Sequence, residues 1–456
     1  MSVMTASVPW LAAQETTATQ AAAPETTGAQ EAAAQALVTQ QSLGDLLAKV
    51  PKPAGPDADV PYADVPAEYD HPVRLVAMDN FTSAAAELMP LYQKASGKDK
   101  ARAAMWLGIT YGLQAFTYPS IGWEYGTSST AYLREAMSLD PTVIQAPDAC
   151  RIMAEMVAHG WGNEDPDTAL KRAEEKAEET RRPLDFYFAG VISRRLGARA
   201  WGYSDTTEQD KKTLSLFAKA VALDPGRYES WSAYLPALMP AGMHDLATTE
   251  AKKMYEHFKT LRTPLLVDQG PAVLKINVSS YRTMKDDADQ LEEVAKRWPD
   301  DPMPSFETAM RAIESTPTMA MDLFPKMLAD YESGRTKPMP REAGYYVSTL
   351  YKYAFLLQSQ GKIPESIEYY KKAKALSPGY AEVNLNIGIL LAQLSDKEST
   401  GPKKLSLMEE SLTYVQEQEK WDYRGKAALK ANEMRQRLRS VIYRTKLAMK
   451  DEETTK

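Results

Sequence analysis

"YKYAFLLQSQGKIPESIEYYKKAKALSPGY", residues 351–380, decides the fold. Together with the preceding Leu350, its residues Tyr353, Ala354 and Leu357 recur at three- and four-residue steps, the spacing of one helix face. Gly361 turns the chain, Ser366, Tyr370 and Ala373 mark a second helix, and Pro378 ends it. Small side chains at Ala354, Ser366 and Ala373 let two helix axes cross closely, and Tyr353, Leu357 and Tyr370 fill the space beside the crossing. The stretch therefore predicts an antiparallel helix hairpin.

The same period continues outward. "ARAAMWLGITYGL", "TLSLFAKAVAL" and "AKKMYEHFKTL" place apolar residues at helical steps, and from residue 73 onward only "AVLKINV" (272–278) looks like a strand. "AYLREAMSLDP", "LFAKAVALDP" and "YYKKAKALSP" share an apolar or aromatic residue, then Ala, then Pro at equal offsets, ending at Pro141, Pro225 and Pro378. The first two prolines stand 84 residues apart, room for two hairpins of about 42. The extra length is expected between helices, as in "GLQAFTYPSIGWEYGTSS" (112–129).

This spacing resembles the tetratricopeptide repeat, a hairpin unit of 34 residues, most clearly over 347–380 and 381–420 and more faintly over 101–141, 183–225 and 228–261. Asn384 departs from it, standing where the family has a large apolar residue. The resemblance implies an all-α, right-handed superhelical solenoid over 73–423, whose inner groove is lined by the first helix of each hairpin. Carried over position by position, the groove residues are Ser348, Tyr351, Phe355, Gln358 and Ser359 in one unit, and Glu382, Leu385, Ile389, Ala392 and Gln393 in the next. The mixture of apolar and amide groups suits an extended or helical peptide. It lacks the Lys and Asn pattern by which some relatives clamp a terminal carboxylate. Tyr351 and Phe355 are equally consistent with packing against a neighbouring hairpin.

Composition bounds the rest. With 44% hydrophobic and 25% charged residues the chain matches ordinary soluble proteins, and it has no apolar run long enough to span a bilayer. A net charge of −7 gives no global reason to expect nucleic acid. Residues 1–72 differ: 14–36 are nearly all Ala, Thr, Gln and Glu, and six prolines fall between Pro51 and Pro72. Such a segment buries too little to offset chain entropy and is expected to be a disordered spacer. Residues 1–13 read either as a plain tail or as the remnant of a signal peptide, and the spacer tips the reading towards export, with the body held off a membrane.

Enzyme signatures are absent: neither G-x-x-x-x-G-K-[ST], G-x-G-x-x-G, H-E-x-x-H nor G-x-S-x-G occurs. Four scattered histidines and a single cysteine, Cys150, offer no metal site, so no cofactor or metal is expected. "AEEKAEE" (173–179) reads as a solvated helix face. Trp123, Trp161 and Trp201 all fall in expected turns, where they form either a stacking platform for a sugar or a partner's side chain, or plugs folded back on the hairpins. Residues 424–450 hold nine Lys/Arg against Glu433 alone, a local +8 that leaves −15 elsewhere. Ala431, Met434, Leu438 and Val441 give this helix an apolar stripe, so it is expected to cap the array, or else to touch an anionic partner or membrane surface.

The function expected is non-enzymatic: a scaffold holding a protein or peptide in the solenoid groove. A saccharide-binding or anionic-surface accessory protein of the cell envelope, and an enzyme without a recognisable motif, are the alternatives.

Overall fold

A computed structural model gives the structure and describes residues 49, 50, 62, 64–118, 122–161, 165–199, 206–238, 243–258, 262, 284–421 and 427–454. Among them are eighteen α-helices and no strand. "AVLKINV" and residue 201 lie outside the described residues, as does most of 1–63.

The helices follow one another as α1 (Asp70–Ala77), α2 (Phe81–Lys94), α3 (Gly97–Thr117), α4 (Gly122–Leu139), α5 (Pro147–Ala158), α6 (Pro166–Thr180), α7 (Pro183–Arg199), α8 (Thr206–Leu223), α9 (Tyr228–Leu238) and α10 (His244–Phe258). Then come α11 (Met284–Arg297), α12 (Met303–Ser315), α13 (Pro317–Glu332), α14 (Gly344–Ser359), α15 (Ile363–Leu376), α16 (Val383–Asp396), α17 (Pro402–Lys420) and α18 (Ala427–Thr454). Packing runs mainly between sequence neighbours, and α3, α5 and α7 also stack on one another. This is the all-α solenoid of helix hairpins that the repeats predict, in a tetratricopeptide-like arrangement.

The deciding hairpin forms for the reasons its sequence contains. Gly361 takes φ +75° after α14, and the N–H of Lys362 closes on the carbonyl of Leu357, a glycine-terminated helix end. Ala354, Ser366 and Ala373 are fully buried at the crossing. Ser366 Oγ also donates to the Ala354 carbonyl at 2.7 Å. The same bond recurs from Ser129 to Gly108 at 2.7 Å and from Ser411 to Gly388 at 2.6 Å. In three hairpins a serine of the second helix thus satisfies itself on the backbone of the first, which a wider crossing would not permit. The residues equivalent to Ala373, namely Ala136 and Ala220, are likewise fully buried.

One expectation is corrected. The long segment 112–129 is helix at both ends, since α3 runs to Thr117 and α4 starts at Gly122, so the extra length lengthens helices instead of a loop. The helical body begins at Asp70 and includes Pro72, a position in the first turn that proline tolerates. Upstream of it, Val50, Tyr62 and Tyr69 are buried in the core, and Tyr62 Oη donates to Asp140 Oδ2 at 2.8 Å.

The array also folds back on itself. α1 packs against the turn Pro340–Glu342, Arg74 Nη1 donates to the Pro338 carbonyl at 2.8 Å, and Asn80 Nδ2 donates to the Leu376 carbonyl at 2.9 Å. Arg341 reaches Asp148 Oδ2 at 3.0 Å, with its guanidinium over the Trp106 ring. The first helices are therefore joined to the middle of the array, which a strictly one-dimensional solenoid does not do.

Candidate interaction surface

The sequence places the candidate surface on α14 and α16. Tyr351 is half-buried between Tyr370 and Tyr380, with ring centroids at 5.3 and 5.6 Å, both edge-on. Its hydroxyl accepts from Asn386 Nδ2 at 3.0 Å, and burial, reinforced by the Glu382 charge, raises its pKa. Ser348 Oγ and Tyr380 Oη share a 2.6 Å hydrogen bond, and Gln358 Oε1 accepts from Tyr370 Oη at 3.3 Å. Tyr351 and Ser348 are thus partly engaged in holding this hairpin to the next, and Gln358 in closing its own hairpin.

Phe355 is different. It is 48% exposed, whereas the other eight phenylalanines are buried or half-buried. Lys352, one helical turn before it and half-buried, has its ammonium pKa lowered by burial. The Tyr351–Asn386 bond ties α14 to α16, and one 34-residue repeat on, Phe355 corresponds to Ile389 and Ser359 to Gln393. Gln393 is exposed and Ile389 half-buried.

Leu385 does not belong to an open surface. It is 1% exposed and packs with Met408, Val415, Ala427 and Ala431, because α18 and α17 cover that side of α16. Ile389 and Ala392 lean on the same cluster. The open part of the predicted groove is therefore Phe355, Ser359 and Gln393, bordered by Ser348, Tyr351, Gln358 and Ile389. Asn384, which departs from the repeat pattern, is buried and donates from Nδ2 to the Pro378 carbonyl at 2.7 Å. An apolar residue there would leave that carbonyl without this donor.

Of the three tryptophans expected in turns, Trp123 and Trp161 are described. Trp123 lies in the first turn of α4, not in a loop, and is 65% exposed. Trp161 follows Gly160, which takes φ +76° at the end of α5, and folds back onto α4. A β-carbon at Gly126 would stand 2.3 Å from the Trp161 ring, so this glycine is required by close approach. Trp161 also stacks on His159 at 4.6 Å and tilts against Phe116 at 6.1 Å. Nothing in the sequence pairs Gly126 with Trp161.

Among the described residues no group of three or more His, Cys, Asp or Glu is placed to hold a metal ion, and no helix is long and apolar enough to cross a membrane. The "AEEKAEE" face pairs across to α8, with Glu174 to Lys212 and Glu178 to Lys219, each at 2.6 Å.

The class these features define is a tetratricopeptide-like helical-repeat protein. No protein-family profile matches the chain, and no curated protein is similar to it. Similar solved structures include yeast Tom70 (14% identity, TM-score 0.46, 81% of this chain and 82% of that one). Cut9 with Hcn1, a hetero-tetramer of the APC/C, is similar at 12% identity and TM-score 0.36 over 79% and 63%. The tetratricopeptide domain of P58(IPK) is similar at 11% identity and TM-score 0.26 over 82% and 97%. At these values each is a likeness of helical architecture.

Proposed function

We propose that this chain is a non-enzymatic interaction scaffold that holds a protein or peptide partner against the open face of α14 and α16. The observation that carries the reading is Phe355, a large aromatic ring left in water in a protein that buries its other phenylalanines. Exposing such a ring forgoes a burial gain of about 2 kcal/mol, so a surface that keeps it is matched to something that covers it. Around it the polar groups are amides and hydroxyls: Gln358, Gln393, Ser348 and the Tyr351 hydroxyl. They suit the backbone and polar side chains of a peptide better than a phosphate backbone, which calls for clustered cations.

The test is affinity capture from a native extract with the full chain and with Phe355→Ser. Phe355 is half in solvent, so this variant keeps its fold, in contrast to Tyr351→Ala, which removes a packed ring. A protein retained by the first and lost from the second supports the reading. Identical capture by both overturns it.

A further inference from the structure

We infer that the outward face of α18 is a second docking surface, built for an acidic amphipathic helix of a partner protein. α18 has an apolar inner face and, opposite it, a row that mixes large apolar and polar residues. The inner face buries Ala427, Ala431, Leu438 and Ile442 against α16 and α17. On the opposite side stand Leu429, Tyr443 and Leu447, 68%, 69% and 50% exposed.

At about 100° per residue, these three share one line with Glu433, Gln436 and Ser440, a row with alternating four- and three-residue steps. That is the spacing of a helix–helix seam. Arg437 and Arg444 border the row on one edge, and Arg439, Lys446 and Lys450 on the other. Lys446 pairs with Glu409 of α17 at 2.8 Å, and Arg435 with Glu419 at 3.1 Å. Arg437, Arg439 and Arg444 meet no carboxylate among the described residues, and Arg444 donates to Ser440 Oγ at 3.0 Å. Arg435 and Lys446 are thus paired with α17, whereas Arg437, Arg439 and Arg444 face outward.

The flanking charge chooses the occupant. A second copy of α18 would bring two sets of arginines together across the seam, a repulsion that grows as they are desolvated. A bilayer would have to accept Glu433, Gln436 and Ser440 in the middle of the row, and Glu433 would face anionic headgroups. A helix with apolar residues opposite Leu429, Tyr443 and Leu447, polar residues opposite Glu433, Gln436 and Ser440, and Asp or Glu on both flanks satisfies the row and its borders together.

The probe is a fluorescein-labelled helical peptide with leucine and polar residues at the matching seam positions and glutamate on its flanks, titrated into the full chain and followed by anisotropy. Two variants are compared: Leu429→Ser/Tyr443→Ser/Leu447→Ser, and Arg437→Gln/Arg439→Gln/Arg444→Gln. All six residues are solvent-exposed or on the outer edges, and circular dichroism verifies that the helix remains. Each variant is expected to weaken binding by about tenfold or more, and the glutamine variant also to flatten its salt dependence. Phe355→Ser leaves the affinity unchanged, so this surface stands or falls apart from the α14–α16 face. No binding, or equal binding by the serine variant, overturns the inference. So does preference for phosphatidylserine vesicles, or a dimer in sedimentation that the serine variant abolishes.

Discussion

Arg341 Nε stands 3.0 Å from Asp148 Oδ2, although 193 residues separate them, and both side chains are nearly buried. This pair, with Arg74 on the Pro338 carbonyl, ties the first helices to the middle of the chain. Breaking a buried pair strands the surviving charge, and Asp148→Ala or Arg341→Ala is expected to cost about 3–5 kcal/mol. Urea denaturation measures it, and a single cooperative transition is expected to broaden or split as the first helices lose their joint to the middle of the array. A loss under about 1 kcal/mol would mean the joint is incidental.

A second prediction concerns Gly126. Alanine there drives a methyl group into the Trp161 ring, since its β-carbon would lie 2.3 Å away. Gly126→Ala, which improves helix propensity, is nevertheless expected to destabilise by about 1–3 kcal/mol and to shift Trp161 fluorescence towards the red. Stabilisation instead would show the ring free to move aside.

The repeat was legible in residues 347–380 because size alone selects Ala354, Ser366 and Ala373 for a close crossing. Which serines close that crossing with a hydrogen bond was not, since a serine that bonds a neighbouring helix looks like any other. Leu385 failed as a groove residue because its exposure is set by α17 and α18 packed on top, and sequence order does not say what covers what. The turn expected over 112–129 failed for a related reason. Gly122, Gly126 and Pro119 read as turn residues, yet the two glycines serve helix–ring contact with Trp161. The contacts between α1 and residues 338–342 have no local signature, being fixed only by the curvature of the whole array.

Asp301 gives a pH test. Burial, with the Glu342 carboxylate as a second cause, pushes its carboxyl up to about 7. Arg262 Nε is 3.8 Å from its Oδ2, too far for a hydrogen bond, because Arg262 is turned to Glu342 at 2.8 Å. The folded state therefore holds a proton that the unfolded state, with a pKa near 3.9, releases earlier. This contribution to stability is fully present below about pH 4 and is lost as pH rises towards 7. The urea midpoint is expected to fall between pH 5 and 7, and Asp301→Asn, which keeps the acceptor for the Met303 N–H, is expected to flatten that slope. An unchanged slope in the variant would assign it elsewhere.

Cys150 is a built-in reporter. It is fully buried, and burial raises its thiol pKa far above the usual range, so neither access nor thiolate is available in the native state. Labelling with Ellman's reagent is expected only as the α5 region opens, at a rate that rises with urea. Full labelling within seconds in native buffer would contradict the packing around α5.

The scaffold reading meets its most direct test in photocrosslinking at one position. A benzoylphenylalanine placed at Phe355, and in a second sample at the exposed Leu223, is irradiated in the native extract. The account predicts a discrete protein adduct from position 355 that is absent from position 223. Adducts that are the same at both positions, or none at 355, would contradict a partner held on the face of α14 and α16.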